Sequence, residues 1–189
     1  MKTIEIEIPK GKKAVWINNV LTLVNEKPQD ITERIKTFND ALLELGIRVA
    51  NGDKSAEVLY DEWQHTTAHS CSDLTAYVKL RIITAVLNEG WEPKFTKEEY
   101  RWYPWFWLIT KEEYNKLSDA DKARVVGRGG LNASAYYGLV CANAYSASSY
   151  SYSYNGSRLA FKNEKLAAYA GRQFAEIYAD FCFIPQIPE

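Results

Sequence analysis

The sequence predicts a single α+β domain that spans residues 1–189. Apolar and charged residues alternate with period two near the N-terminus, which indicates a strand, whereas several later segments carry apolar residues at helical spacing. The length suits one well-buried core, and no repeat or linker divides the chain. The predicted architecture is an N-terminal antiparallel β-meander, several amphipathic helices, a Tyr/Ser-rich β-hairpin region and a C-terminal helix.

The meander is predicted from three short runs near the N-terminus. Residues 3–8 alternate between apolar and polar types, which is typical of a half-buried strand. Two asparagines at 18–19 separate the apolar runs 14–17 and 20–24, and asparagine tolerates the positive φ of a tight turn. A hairpin is therefore expected to follow the first strand.

Three helices are predicted next. Asp30 is the expected N-cap of the first helix, and Gly46 its expected C-terminal stop. Ser72 caps the third helix, which ends before Gly90, and both of these helices carry apolar residues three or four positions apart. The second helix has a weaker pattern. Together the predicted helices cover 30–45, 55–66 and 72–88.

Residues 91–109 hold the densest aromatic run, and the two prolines within it favour an extended segment over a helix. Thr110 and Ser118 each begin a short predicted helix, because an acidic residue follows three positions later, as in a capping box. Asn163 is the expected cap of the final helix, which has one apolar face.

The stretch 131–157 differs in amino-acid composition from the rest of the chain. It contains no Lys, Arg, Asp, Glu, Gln, Trp or Met, and Tyr, Ser, Ala and Asn dominate it. Residues 138–142 and 157–161 are predicted as paired strands, with 143–155 as their long connection. Tyr supplies contact area at low rotamer entropy, and Ser and Asn supply adaptable hydrogen bonds, as in antibody paratopes. The predicted ligand-binding residues are Tyr136, Tyr137, Tyr145, Tyr150, Tyr152 and Tyr154.

A second interpretation of this stretch is a low-complexity segment packed into strands, in which alternating Tyr and Ser mark the two faces of a sheet. Composition does not separate the two interpretations.

One cluster of residues has the spacing of a metal site. His65 and His69 stand at i and i+4, and Glu62 and Cys71 are near enough in sequence to complete a zinc site. The internal Glu of helical metalloprotease motifs is missing, so a solvated helix end is the ordinary interpretation. A nucleophile at Cys71 or Cys141 with a histidine base rests on spacing alone. No catalytic residue, metal ligand or cofactor is therefore assigned.

Two further patterns are typical of nucleic-acid or phosphate binding. The aromatic run at 100–107 lies beside Lys94, Lys97 and Arg101, as in stacking platforms for single-stranded nucleic acid, although packing is the commoner role of such a run. The Gly-Arg-Gly-Gly run at 127–130 could form a backbone nest for phosphate, but it matches no phosphate-binding motif, and a loop is the favoured interpretation.

Bulk properties narrow the partners and the location. The net charge of −1 implies no overall attraction to nucleic acid or to anionic membranes. No stretch approaches the roughly 20 apolar residues that span a bilayer, and the N-terminus lacks the apolar core of a signal peptide. The three widely spaced cysteines are expected to be buried thiols of a reducing compartment, which indicates the cytoplasm.

Six short motifs distinguish the chain. They are residues 2–9, Leu-Asn-Glu-Gly-Trp-Glu-Pro at 87–93, Tyr-Pro at 103–104, Gly-Ser-Arg-Leu at 156–159, and the closing runs at 165–174 and 177–181. In these motifs the chain resembles a family of uncharacterised proteins carried by phages, prophages and gut anaerobic bacteria. The resemblance covers most of the chain, and it implies no activity and no catalytic residues.

The stretch before 156–159 also resembles the variable region of proteins diversified by retroelements. Such proteins commonly have a C-type-lectin-like fold and bind ligands at their tips. Adenine-directed mutation of AAC codons yields Asn, Tyr, Ser, Ala and Gly but never Lys, Glu, Gln, Trp or Met, which fits the composition here. The helix predicted after this stretch departs from the lectin pattern, in which a final strand is expected.

These observations together predict a non-enzymatic interaction module, encoded by a phage or mobile element, that presents residues 136–154 to a protein or glycan ligand. One alternative is a virion structural or accessory protein with this segment in a subunit interface, including that of a homo-oligomer. The other is a single-stranded nucleic-acid binder that uses Trp102, Trp105 and Trp107. The expected location is the host-cell cytoplasm, with the virion as the alternative.

Overall fold

The computed structural model describes residues 6–17, 20–26, 28–69, 72–94, 96, 98–127, 138–147 and 157–183, and it confirms the predicted α+β class. The described elements, in chain order, are β1 (Lys12–Ile17), β2 (Val20–Asn25), α1 (Ile31–Arg34), α2 (Phe38–Ala50), α3 (Lys54–His69), α4 (Ser72–Leu87), β3 (Arg101–Ile109), α5 (Lys111–Lys116), α6 (Asp119–Lys122), β4 (Val126–Gly127), β5 (Gly138–Ala147), the 3₁₀ turn Ser157–Leu159, α7 (Glu164–Gln173) and α8 (Ala175–Cys182).

The chain divides into two compact units, 1–34 and 35–189. The single domain expected over residues 1–189 stays a prediction. In the first unit, β1 and β2 form the antiparallel hairpin that the asparagine pair predicts, with Ile17 opposite Val20. The strand predicted at 3–8 is not found over residues 6–8, which form no regular structure. Alternation alone does not make a strand, because a strand needs a neighbour that satisfies its backbone groups.

The predicted helix over 30–45 is two helices, α1 and α2. The second one begins with a capping box in which Thr37 Oγ1 accepts from the Asp40 N–H at 3.2 Å, while Asp40 Oδ2 accepts from the Thr37 N–H at 2.8 Å. This local signal restarts the helix after a break at 35–37. Gly46 lies inside α2 and does not stop it. The helix ends beside Gly52, whose φ of 85° is the left-handed conformation that glycine adopts easily.

Helix α4 is the centre of the second unit. It contacts α2 and α3 on one side and α7, α8 and the 3₁₀ turn on others. Because it meets neighbours in several directions, it carries apolar residues around much of its circumference and not along a single stripe. Both α3 and α4 lie where the sequence predicts them. The fully buried apolar residues of α4 are Leu80, Ile82, Ile83 and Leu87.

Asp53 joins the end of α2 to the start of α3. Its Oδ1 accepts hydrogen bonds from the Ser55 hydroxyl and from the backbone N–H groups of Ser55 and Ala56, at 2.8 to 3.1 Å. Its Oδ2 accepts from Nε and Nη2 of Arg48 at 2.9 and 2.6 Å. Arg48 Nη1 also donates to the Ala85 carbonyl of α4 at 2.9 Å, so this one carboxylate helps to fix three helices.

The larger sheet has the order β3–β5–β4, and β5 runs antiparallel to both neighbours. Gly138 begins β5 opposite Ile109, and Ala147 ends it opposite Arg101. A Cβ at Gly138 would lie only 2.6 Å from the Val126 carbonyl oxygen, so the close approach of β4 to β5 requires glycine at this position.

The pairing predicted between 138–142 and 157–161 is wrong. β5 continues to Ala147 and pairs with the nine residues of β3, and the segment from Ser157 begins as a 3₁₀ turn. From that second segment, Phe161 pairs instead with Trp102, on the edge of β3 that faces away from β5. The aromatic strand β3 offers β5 a long partner, and nothing local in either sequence identifies that partner.

The side-chain amide of Asn88 connects the end of α4 to the chain beside β3. Its Nδ2 donates to the Ala160 carbonyl at 2.8 Å, and its Oδ1 accepts from the Lys162 N–H at 3.1 Å. Between these two residues, Phe161 exchanges two backbone hydrogen bonds with Trp102, at 3.0 and 2.8 Å. One buried amide thus holds helix, turn and sheet in register.

The predicted final helix is also two helices, α7 and α8, which meet at Phe174. Asn163 caps α7 as expected, because its Oδ1 accepts from the Leu166 N–H at 2.9 Å. α7 contacts β3 and β5, whereas α8 contacts α4. The hydroxyl of Tyr169 and the amide of Gln173 donate to the carbonyl groups of residues 35 and 36, at 2.5 and 2.7 Å, so α7 also holds the start of this unit.

We expect Asn88→Ala to lower the free energy of unfolding by roughly 2–4 kcal/mol, because it leaves the Ala160 carbonyl and the Lys162 N–H without their partner. Urea unfolding followed by circular dichroism measures this change. The control is Asn39→Ala, at an exposed position of α2, which should shift stability by less than about 0.5 kcal/mol. Equal effects of the two variants would contradict the role given to Asn88.

The hydrogen bond from Ser55, followed by that from Arg48, lowers the pKa of Asp53 to about 2. A carboxyl whose pKa is lower in the folded than in the unfolded state stabilises the fold above its unfolded pKa. This contribution should therefore be lost as the pH falls from about 4 to about 2. Carboxyl NMR titration should give a midpoint near the lower value and a higher midpoint in Ser55→Ala. A midpoint near 4 in the unaltered protein would refute the capping role.

Candidate functional site

Of the six tyrosines predicted to bind ligand, the structure describes the backbone of one. Tyr145 lies in β5 opposite Tyr103, which is buried. Tyr145 is therefore part of a paired strand and not of the long connection expected over 143–155. Because β5 extends to Ala147, the connection between this strand and the 3₁₀ turn is limited to residues 148–156. The other five tyrosines lie outside the described residues: Tyr136, Tyr137, Tyr150, Tyr152 and Tyr154.

The topology separates the Tyr-rich stretch into two parts. Tyr136 and Tyr137 come directly before Gly138, at the end of β5 that lies beside Ile109, whereas 148–156 follows the opposite end. A strand of ten residues is about 33 Å long at the usual rise. In sequence, the predicted tyrosines therefore flank both ends of β5, and only Tyr145 lies within it.

β3 contributes the exposed aromatic side chains that border this stretch. Alternate residues of a strand share one face, so Arg101, Tyr103, Trp105 and Trp107 all lie on the same side of β3. The first two are 0% and 2% exposed, whereas Trp105 and Trp107 are 46% and 61% exposed. The exposed fraction thus rises from Arg101 to Trp107 and falls again at Ile109, which is 8% exposed. We define Trp105 and Trp107 as the tryptophan surface.

The opposite face of β3 anchors the strand. Phe106 lies between the two exposed tryptophans in sequence, and its ring centroid is 5.0 Å from that of Tyr178 in α8. It also packs against the buried cluster that contains Val126 and Ala179. Phe106 therefore anchors β3 to the core from the face opposite the tryptophan surface, so the backbone of the strand is positioned before any ligand binds. Leu108, further along that opposite face, is 45% exposed.

The outer edge of β3 is interrupted. Trp102 directs its N–H and C=O toward Phe161, away from β5, and the backbone groups of Pro104 point the same way because they are two residues further along. Proline has no N–H, so this edge lacks a donor at that position. Among the described residues, Phe161 alone pairs with the outer edge of β3.

Of the basic residues expected beside the aromatic run, the one within β3 that the structure describes does not contribute to a surface patch. Arg101 is fully buried, and Trp102 is only partly exposed at its bridge to Phe161. Lys94 is exposed but lies outside β3, and Lys97 is outside the described residues. Sequence reasoning grouped three tryptophans, and the structure brings only Trp105 and Trp107 onto one exposed face. Their i, i+2 spacing was the available signal.

The histidine cluster does not assemble into a metal site within the described residues. His65 Nδ1 lies 2.7 Å from the Asp61 carbonyl oxygen, and Glu62 forms an ion pair with Arg81. The His69 side chain and Cys71 are outside the described residues. No group of three His, Cys, Asp or Glu side chains converges in the part of the chain that is described.

The remaining sequence expectations have mixed outcomes. Cys182, the last residue of α8, is exposed as a residue, but burial raises the pKa of its thiol, so the expectation of a buried thiol is met only in part. Of the proposed phosphate nest, Gly127 lies in β4, and residues 128–130 are outside the described ranges. None of the helices that the structure describes is both long enough and apolar enough to span a bilayer.

Comparison with known proteins gives the chain no family and no structural relative. No protein-family model, curated protein sequence or solved structure matches it. The resemblances to phage-carried and retroelement-diversified proteins therefore stay expectations. Function is inferred below from the chemistry and geometry of the chain's own residues.

Proposed function

We propose that the protein is a non-enzymatic interaction module that binds a protein or glycan ligand through the tryptophan surface and the Tyr-rich stretch around β5. The observation that carries this proposal is the exposure of Trp105 and Trp107 on one face of a strand that Phe106 anchors to the core from the opposite face. The resemblance in sequence adds a phage or mobile element as the proposed origin.

The energetic argument rests on what the two tryptophans would gain on binding. An exposed indole ring keeps a large apolar area in water, and covering it is favourable by about 25 cal/mol per Å². Residues two apart in a strand are about 7 Å from each other, so the two rings can contact one ligand together. Tryptophan and tyrosine are enriched among the residues that dominate binding energy in protein interfaces.

Pre-organisation is the second support. Ordering a mobile segment on binding costs free energy, and a side chain on a rigid strand avoids much of that cost. β3 is fixed by its ladder with β5, by Phe106 on the core side and by the Phe161 bridge. Among ligand classes we favour a protein, because aromatic contacts surrounded by Ser and Asn are typical of protein-binding paratopes. A glycan is the other class that this surface would suit.

The alternative of a virion structural or accessory protein uses the same surface differently. A second copy of the chain, or another virion subunit, would then cover the tryptophan surface permanently, as in a symmetric interface. The exposed apolar side chains support this alternative as well. Where the occupant is a second copy, this alternative differs from the first in one observable respect, because the purified protein would assemble with itself.

The nucleic-acid alternative is less well supported by the described residues. Single-strand binders combine stacking rings with cations that follow the phosphate backbone. Here Arg101, the basic residue within β3, is fully buried. We expect no binding of an oligo(dT) probe at low salt, measured by tryptophan fluorescence and anisotropy. Binding that weakens steeply with added salt would reverse this expectation and support the nucleic-acid function.

The proposal is tested with the double variant Trp105→Ala/Trp107→Ala, and separately with residues 148–155 replaced by Gly and Ser, which leaves β5 intact. Capture of a protein from host lysate should fall at least about thirtyfold for the double variant, as for residues that dominate an interface. Leu43→Ala, at an apolar position of α2 that is even more exposed (70%), is the control and should retain capture.

Light scattering and circular dichroism accompany these capture measurements. The double variant should stay folded, since exposed positions contribute little to stability. Loss of capture in the variants but not in the control supports the module. Equal capture by all four proteins contradicts it, and self-association that the tryptophan variant abolishes favours the virion alternative.

A further inference from the structure

A second feature, independent of the tryptophan surface, is the N-terminal hairpin of the first unit. Its strands β1 and β2 form a sheet of two strands, and every residue of 6–26 whose burial is described is exposed or half-buried. A two-stranded hairpin is marginally stable at best in water, and a third strand or a packed face usually completes it. The hairpin is therefore suited to gain a further strand. Its large exposed apolar side chains are Ile6, Ile8, Val20 and Leu23.

The pairing of β2 with β1 shows which of its backbone groups point outward. The Glu26 N–H donates to the Gly11 carbonyl at 2.8 Å, and the next pair along the hairpin is Lys12 opposite Asn25. In an antiparallel ladder, pairs that exchange hydrogen bonds alternate with pairs that do not. The residues of β2 whose N–H and C=O groups point away from β1 are therefore Leu21, Leu23 and Asn25. Among the described residues no strand pairs with this side of β2, which we define as the β2 edge.

The outer edge of β1 differs from the β2 edge. Lys12, the first residue of β1 that points outward, already donates its N–H to the Pro9 carbonyl at 3.1 Å. Lys12 and Lys13 also place two charges at the start of this strand, and lysine on an edge strand opposes the addition of another strand. β2 has neither a charged residue nor a proline in its sequence Val-Leu-Thr-Leu-Val-Asn. The β2 edge is therefore the edge of the hairpin at which a strand is most easily added.

The sequence of β2 is complementary to itself when two copies run antiparallel. With the symmetry axis at Leu23, this residue lies opposite its counterpart, and Leu21 lies opposite Asn25 of the second copy. All the outward-facing residues then belong to bonded pairs, which gives about six backbone hydrogen bonds. The lysines at the start of each β1 lie at opposite ends of the new sheet, so like charges stay apart. A charged partner strand would meet no opposite charge on β2.

From these observations we infer that the protein forms a symmetric dimer in which β2 pairs with β2 of a second copy, so that the two hairpins make one four-stranded antiparallel sheet. The two-fold symmetry closes the assembly, because each copy uses its β2 edge once and the β1 edges stay outside. One short strand from each copy makes a small contact beside the roughly 1,200–2,000 Å² of a stable interface, so we expect a dissociation constant of roughly 1–100 μM. The inference does not involve the tryptophan surface and stands whether or not the proposed function is correct.

The test measures the mass of the whole protein by analytical ultracentrifugation between about 1 and 500 μM, where a monomer–dimer equilibrium is expected. Leu23→Lys should weaken the dimer about tenfold or more, because it replaces a leucine pair with two like charges that face each other. Ala14→Lys, opposite Leu23 on β1, is the control and should leave the equilibrium unchanged. Trp105→Ala/Trp107→Ala should also dimerise normally, which distinguishes this dimer from assembly through the tryptophan surface.

A charge exchange at Leu23 separates lost pairing from lost folding. Leu23→Glu alone should also weaken the dimer, whereas an equimolar mixture of Leu23→Lys and Leu23→Glu should form a mixed dimer, since opposite charges then face each other.

Cysteine variants test the register of the two strands. Leu23→Cys should form a disulfide between copies, because the Cα atoms of a bonded antiparallel pair are about 5.5 Å apart. Val20→Cys should not, because its counterpart would lie roughly 20 Å away along the strand. A monomer at every concentration up to about 500 μM overturns the proposal. So does a dimer that both charged variants at Leu23 leave intact, a dimer that Ala14→Lys abolishes, or a mixture of the charged variants that stays monomeric.

Discussion

The buried amide of Asn88 is the interaction on which most of the second unit depends. It is a residue at the end of the central helix, yet both of its hydrogen bonds go to the chain more than seventy positions later. Those bonds fix residues 160–162, which in turn carry the bridge to β3. An ion pair between Lys162 and Glu89, at 3.0 Å, reinforces the same junction from the surface. A helix and a sheet are thereby aligned by one side chain that has a donor and an acceptor to offer.

The same junction also positions the neighbouring 3₁₀ turn and the outer edge of β3. Arg158 stands two residues before Ala160, in a turn whose Leu159 is buried with Leu80 and Tyr178. The same segment, through Phe161, closes the outer edge of β3 near the buried end of its exposed aromatic face. The 3₁₀ turn that carries Arg158 and the strand of the tryptophan surface are therefore positioned by one packed segment. The position of neither element is determined by its own local sequence.

Local signals in the sequence predicted local structure well. The capping residues at Thr110, Ser118 and Asn163 each begin a helix where expected, because a cap is decided by atoms within one turn. The same reasoning, applied to 30–45, overlooked the capping box at Thr37 and so joined two helices. The α+β class followed from periodicity, which also depends on neighbouring residues only.

What sequence reasoning could not supply was long-range pairing. The partner of β5 is set by register across the sheet, and composition pointed instead to the segment that follows it. A cavity beside α4 was missed for the same reason. Arg48, Arg81 and Arg158 share no motif in the sequence and line one cavity only in the folded chain. The tryptophan surface was half visible. The i, i+2 spacing of Trp105 and Trp107 was a signal for a shared face that the grouping of three tryptophans did not use, and the burial of Arg101 on the same strand depends on tertiary packing.

Pro104 has a consequence for how this protein behaves at high concentration. An open strand edge is a template on which other chains can add and grow into aggregates, and natural proteins commonly block such edges. Here the outer edge of β3 carries apolar side chains that would favour such growth, and among the residues that the structure describes only Phe161 pairs with this edge, at its first part. The missing donor at Pro104 breaks the run of backbone groups that an incoming strand would need. The protein can thus keep aromatic rings exposed to water while its backbone discourages polymerisation along the same strand.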